Sequence, residues 1–181
     1  MKMKILATAA ALACLSAPAF AATQGTPGPT STGTVTINAS ITPEVNITSL
    51  DDITFTATVM RTALNTGADA TGGDAFCVWS NNPDGSYFIT ATGNGASNAF
   101  SLTDGTRTLP YSVIVNTAAQ PSGPTLSPGV KSPKFTSPAT VPDCAGATTA
   151  NLLIRITNAN IATMEATTTY TGVLTLLVSP T

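Results

Sequence analysis

The stretch Gly33-Thr34-Val35-Thr36-Ile37-Asn38-Ala39-Ser40-Ile41-Thr42-Pro43 alternates apolar and polar residues without a break. Val35, Ile37, Ala39 and Ile41 fall on one side, and Thr34, Thr36, Asn38, Ser40 and Thr42 on the other. A period of two between turn-forming residues is the pattern of a strand with one buried face. Pro43 ends the strand, since proline cannot donate a ladder bond. Residues 22–32, rich in Thr, Gly and Pro, have no periodicity and read as a flexible tail. Nothing upstream can therefore cover the apolar side of this strand, and its partner has to come from elsewhere.

Further upstream, Met1-Lys2-Met3-Lys4 precedes an apolar run from Ile5 to Leu15 and a small-x-small site at Ala19-Phe20-Ala21. These are the three regions of a secretory signal peptide cut after Ala21, and the run is too short to span a bilayer. The expected organisation is a signal peptide over 1–21, the tail over 22–32, the alternating strand over 33–43 and one domain over 44–181. With the signal removed, five basic residues face nine acidic ones, a net charge near −4, which excludes a nucleic-acid binder. Cys14 leaves as well. The remaining pair, Cys77 and Cys144, is most simply one disulfide in an oxidising compartment. Only 9% of residues are charged, against roughly a quarter in ordinary soluble domains, so neighbours or hydroxyls are expected to cover much of the surface.

Downstream, the chain reads as short strands between turn residues. Val45 and Ile47, then Ile53, Phe55 and Ala57, continue the alternation, and Asn65–Asp74 reads as a loop. Residues 75–80 and 86–92 form strands on either side of Asn81-Asn82-Pro83-Asp84-Gly85, a strong turn signal read as a hairpin. Residues 99–103 and Arg107–Asn116 flank an Asp104-Gly105 turn. Six prolines make 117–143 the longest irregular segment. Asn151–Thr157 and Tyr170–Ser179 are the last strands, with a short helical turn or loop over 159–168. No helical period is sustained over three turns, and the pattern predicts an all-β, immunoglobulin-like sandwich.

No catalytic constellation is visible. The chain has no histidine, which removes Ser-His-Asp and Cys-His arrangements and the commonest zinc ligand. Asp51-Asp52, Asp69 and Asp74 read as solvated turn residues, and Gly72-Gly73 and Gly93-Asn94-Gly95 lack the helix and lysine of a phosphate loop. Trp79 and Tyr87 read as core aromatics, with a sugar-stacking surface as the alternative. No enzyme, metal or cofactor is expected.

Gly33–Leu50 resembles the mature N-terminus of the colonisation-factor pilins of the alpha clade of chaperone–usher fimbriae, where an alternating β-branched strand reads into Ala-Ser, a proline and then the domain. Residues 169–178, Thr-Tyr-Thr-Gly-Val-Leu-Thr-Leu-Leu-Val, are similar to that family's closing strand. The firm resemblance is confined to these two ends. The cysteine pair and the eleven-residue tail depart from the family, and the archaic coat-protein-U-like pilins are a second relative that carries cysteines. Either resemblance implies an incomplete immunoglobulin-like β-sandwich that lacks its last strand and is completed by a donor strand from a neighbouring subunit, a form of β-augmentation. The donor-strand knobs would be Val35, Ile37, Ala39 and Ile41; Tyr170, Leu174, Leu176 and Val178 would line or flank the acceptor groove. Burying the three β-branched knobs would contribute on the order of 5–9 kcal/mol before entropy. The implied partners are further copies in a homopolymer, a periplasmic chaperone, an outer-membrane usher and a host glycan or surface receptor. The implied location is a fimbria on the bacterial surface, reached through the periplasm. The rival expectation is a monomeric secreted, lectin-like β-sandwich.

Overall fold

The computed structural model describes residues 22–118 and 120–180, so the signal-peptide reading of 1–21 lies outside the described residues. The chain divides into two compact units, Met1–Ile41 and Thr42–Thr181.

In the first unit, residues 22–32 do not run simply extended. Thr23 and Thr34 exchange both backbone hydrogen bonds, at 2.9 and 3.0 Å, and the Thr34 hydroxyl donates to that of Thr23 at 2.7 Å. The Gly- and Pro-rich residues between them therefore form a closed loop. Residues 35–41 follow without ladder partners among the described residues, and Val35, Ile37 and Ile41 are 72%, 86% and 83% exposed.

The second unit contains, in chain order, β1 (Val45–Thr48), α1 (Ala57–Thr66), β2 (Ala70–Ser80), β3 (Ser86–Gly93), β4 (Ser101–Thr103), β5 (Thr108–Pro110), β6 (Ser112–Thr117), β7 (Thr125–Leu126), β8 (Phe135–Thr136), β9 (Ala150–Ile156), α2 (Asn158–Ile161) and β10 (Leu174–Ser179). All pairings are antiparallel. One sheet runs β1-β2-β9-β6-β7, a second runs β10-β3-β8, and β4 with β5 forms a small ribbon. Burial alternates along β6 and β9, as in strands with one covered face. Inward side chains of both sheets, Val78, Val113, Val115 and Ile156 from one and Tyr87, Ile89 and Phe135 from the other, share a single core. This is the all-β, immunoglobulin-like sandwich expected from the sequence.

Several expectations need correction. The chain does reverse at residues 81–85, but β2 and β3 are not two arms of a hairpin, because they enter different sheets. Ser80 Oγ donates to the Ser86 carbonyl at 2.8 Å, fixing the corner, and beyond it each arm buries its apolar face from the opposite side of the core. Ile53, Phe55 and Ala57 belong to no strand. The chain enters α1 instead, with the Thr56 hydroxyl accepting from the Val59 amide and Gly67 closing the helix in the left-handed region at φ 71°. The supposed loop 65–74 shrinks to residues 67–69, since α1 runs to Thr66 and β2 begins at Ala70. A Cβ on Gly72 would lie 2.8 Å from Ile53 Cγ2 and 3.1 Å from the Phe55 ring, so this glycine makes room for side chains laid across the strand. Residues 107–116 split into β5 and β6 at Tyr111, whose amide bonds to the Phe100 carbonyl at 3.0 Å.

The two flanks of the sandwich differ. On one, the Pro-rich segment crosses from β7 of the first sheet to β8 of the second, and Gly129 and Ser132 donate to the Ala91 and Ile89 carbonyls at 2.7 and 2.9 Å. That flank is closed by chain. On the other, the end strands β1 and β10 lie beside each other, each paired on one side only among the described residues.

Candidate functional site

Both β1 and β10 leave their inward side chains half-covered. Val45 and Ile47 of β1 and Leu174, Leu176 and Val178 of β10 pack against the core without being enclosed, whereas Val113, Val115 and Ile89 have no exposure. β10 pairs with β3 from Leu174↔Gly93 to Ser179↔Phe88, and its other edge has no strand neighbour among the described residues. An unpaired edge beside half-covered aliphatics is the arrangement that accepts an added strand. Outward-facing Leu177 is 62% exposed, between Thr175 and Ser179 on the same face.

Tyr170 sits just before this edge. Its side chain is half-buried against the core, and its hydroxyl accepts from the Glu165 amide at 3.2 Å. Glu165 pairs with Arg107. Asp104, at the ribbon turn, is held below the usual carboxylate range by the Arg107 and Thr106 amides. Thr171 exchanges both backbone bonds with Thr103, at 2.8 and 2.9 Å, so the β4–β5 ribbon anchors the approach to β10.

The four expected groove residues therefore lie along one run of chain at the open flank, on the strand and the segment leading into it. The expected donor residues Val35, Ile37, Ala39 and Ile41 are all exposed in the first unit. Sequence reasoning did not single out Val45 and Ile47 as companions of Leu174, Leu176 and Val178. Their alternating pattern was visible, but the neighbouring end strands that make them relevant were not.

Cys77 and Cys144 form the expected disulfide. Cys77 lies on the outward side of β2, and the bond holds a turn in which Cys144, Ala145 and Gly146 all have positive φ, at 52°, 51° and 76°. Trp79 and Tyr87 part company. Tyr87 is wholly buried, stacked on Phe135, and its hydroxyl has no hydrogen-bond partner among the described residues. Burial pushes that hydroxyl's pKa well above the usual tyrosine range. Trp79 is half-buried and walls an open cleft of about 540 Å³ with the 80–85 corner and residues 137–140. Asp51 donates its amide to the Asp74 carboxylate at 2.9 Å, as suits a turn residue. Among the described residues no three His, Cys, Asp or Glu side chains gather as a metal site would require.

No protein-family model matches this chain. No curated protein matches it either. One solved structure that aligns with it is described as a chaperone–tip adhesin complex in CFA/I fimbriae biogenesis, at 14% identity and a TM-score of 0.44. The alignment covers 77% of this chain and only 41% of that one. A likeness this loose transfers neither topology nor function.

Proposed function

We propose that this chain is a structural subunit of a bacterial surface fibre, polymerising when Gly33–Pro43 of one copy enters the open flank beside β10 of the next. The observation that carries the reading is a complementarity within one sequence. β10 is an edge strand with half-covered Leu174, Leu176 and Val178, while Val35, Ile37 and Ile41 stand exposed on an alternating stretch. A strand added at such an edge gains main-chain bonds from the ladder and apolar burial from its knobs. Until it arrives, the open edge is an aggregation hazard, which is the physical reason to expect a periplasmic chaperone and an outer-membrane usher as partners. The low charge of the surface suits a subunit packed among copies of itself.

The test is size exclusion and negative-stain microscopy of the mature chain, refolded without a chaperone, with and without residues 33–43. SDS-resistant oligomers or thin fibres from the complete chain alone, together with stabilisation of the truncated form by the free peptide, support the reading. Equally stable monomers from both forms overturn it.

A second reading, a monomeric lectin-like module, is favoured by the cleft beside Trp79, where an aromatic face adjoins the Asn-Asn-Pro-Asp-Gly corner and Thr140. It predicts glycan binding by the monomer that is lost in Trp79→Ala.

A further inference from the structure

We propose that the clasp between Thr23 and Thr34 is a register stop for the strand that follows it. This deepens the donor-strand reading and rests on it. In an extended strand, the N–H and C=O of one residue share an edge, and those of the next residue face the other edge. Thr34, Thr36, Asn38, Ser40 and Thr42 therefore present their backbone groups to one edge, and Val35, Ile37, Ala39 and Ile41 to the other. The clasp uses both backbone groups of Thr34 on Thr23, so Thr34 has nothing left to offer a neighbouring strand at that edge. Pro43 lacks an N–H and stops the opposite edge. The pairable length is thus confined to Val35–Thr42, closed at each end by a different device.

The clasp also has width: the paired Thr23 and Thr34 span two strands where the stretch after them is one. The loop behind them is packed on itself: a Cβ on Gly25 would meet Ser31 Oγ, and Pro27 and Pro29 fix two of its φ angles.

These stops act where the knobs themselves discriminate least. A slip of one residue turns every knob away from the core and is penalised heavily. A slip of two keeps the apolar face inward, and only the sizes of the knobs resist it. Slipping further in would seat Gly33 in place of Val35, which the clasp obstructs. Slipping out would seat Pro43 in place of Ile41, which costs a ladder donor.

The experiment is hydrogen–deuterium exchange with mass spectrometry on polymers of three chains: the chain from Ala22, its Thr23→Pro variant, and a chain beginning at Gly33. The complete chain is expected to give one population protected over Thr36–Thr42. Both altered chains are expected to add a second population, with protection shifted by two residues toward Gly33. A single population in the original register for the altered chains overturns the stop while leaving the donor strand standing. Failure of the complete chain to polymerise at all overturns the donor-strand reading itself, and the stop with it.

Discussion

Tyr87 on β3 and Phe135 on β8 face each other across one rung of the smaller sheet, with ring centroids 5.6 Å apart and neither ring exposed. The pair anchors the end of the sheet where only two rungs hold β8 in place. The Tyr87 hydroxyl has no partner among the described residues, and an unsatisfied buried hydroxyl costs about 1–3 kcal/mol. Tyr87→Phe keeps the stack and removes that cost, so it is expected to raise the unfolding free energy by about 1 kcal/mol. Phe135→Ala should lower it by about 3–5 kcal/mol. Urea unfolding of the two variants checks both signs, and a destabilised Tyr87→Phe would mean that the hydroxyl is in fact bonded.

The disulfide joins residues 67 apart in sequence. Loop-closure entropy for a ring of that size corresponds to about 4 kcal/mol. The double variant Cys77→Ala, Cys144→Ala should lose close to that amount. The backbone of Cys144 and Ala145 lies in the left-handed region, at φ 52° and 51°, so proteolysis after release of the bond is expected to begin near residues 143–146. Limited proteolysis with and without reductant locates the cut.

At the corner between the sheets, Gly85 has φ 63°, and a Cβ there would run into the Ser137 carbonyl. Strain and collision add, and Gly85→Ala should cost about 2–4 kcal/mol. Gly105, with φ 94° and open space around it, bears only the conformational part, about 1–2 kcal/mol. A comparison of the two thermal midpoints separates collision from conformation.

The Asp84 carboxyl is held down to about 2 from 3.8 by the Ser86 hydroxyl, then by Lys134 and the Ser86 amide. A carboxylate whose folded pKa is depressed adds stability above its ordinary value and loses it as the pH falls. The contribution should therefore fade between about pH 4 and pH 2. The group is half-exposed and paired with Lys134 at 3.2 Å, so the effect is small and weakened by salt. Asp84→Asn should flatten this part of the acid limb while changing little at neutral pH. Melting curves across the acid range, at low and high salt, measure it.

Neighbouring residues on β10 offer a sharp contrast. Leu176 packs against the core at the open flank, and Leu177 is 62% exposed on the other face. Leu176→Asp is expected to abolish polymer formation, whereas Leu177→Asp should leave it nearly unchanged. Equal effects would detach assembly from the inward face of this strand.

The sequence made the strands legible wherever one face is buried. Val113, Val115, Leu152, Ile154 and Ile156 each have a polar neighbour facing outward, which marks the strand although outward Ile114 and Leu153 interrupt the alternation. Which sheet receives each strand was not legible. The 81–85 corner has the same residues as a hairpin turn, and only the burial of Val78 and Ile89 on opposite sides of one core separates the two outcomes. Helix α1 was hidden for another reason: Val59, Thr62 and Thr66 are β-branched and favour strands locally. Its caps at Thr56 and Gly67 were in plain view. Gly72 and Gly73 suggested a loop because glycine weakens strands, while the side chains that need the space at Gly72 come from some twenty residues earlier. At the open flank, Leu174, Leu176 and Val178 were identifiable by pattern, and the companion row on β1 required the fold.

The sheet topology also bears on time. Leu174 pairs with Gly93, Ala70 with Ile156 and Ser112 with Arg155, so the principal ladders join segments that are far apart along the chain. Such contacts form slowly, because long loops must close before any ladder can reward them. β10 follows both of its sheet's other strands, β3 and β8, in chain order and is also an end strand of that sheet. For the whole interval before it docks, β3 lacks a neighbour on that side. Completion of that sheet thus waits on a strand that follows its partners in the chain, and the delay itself creates a period in which a protective companion would have something to hold.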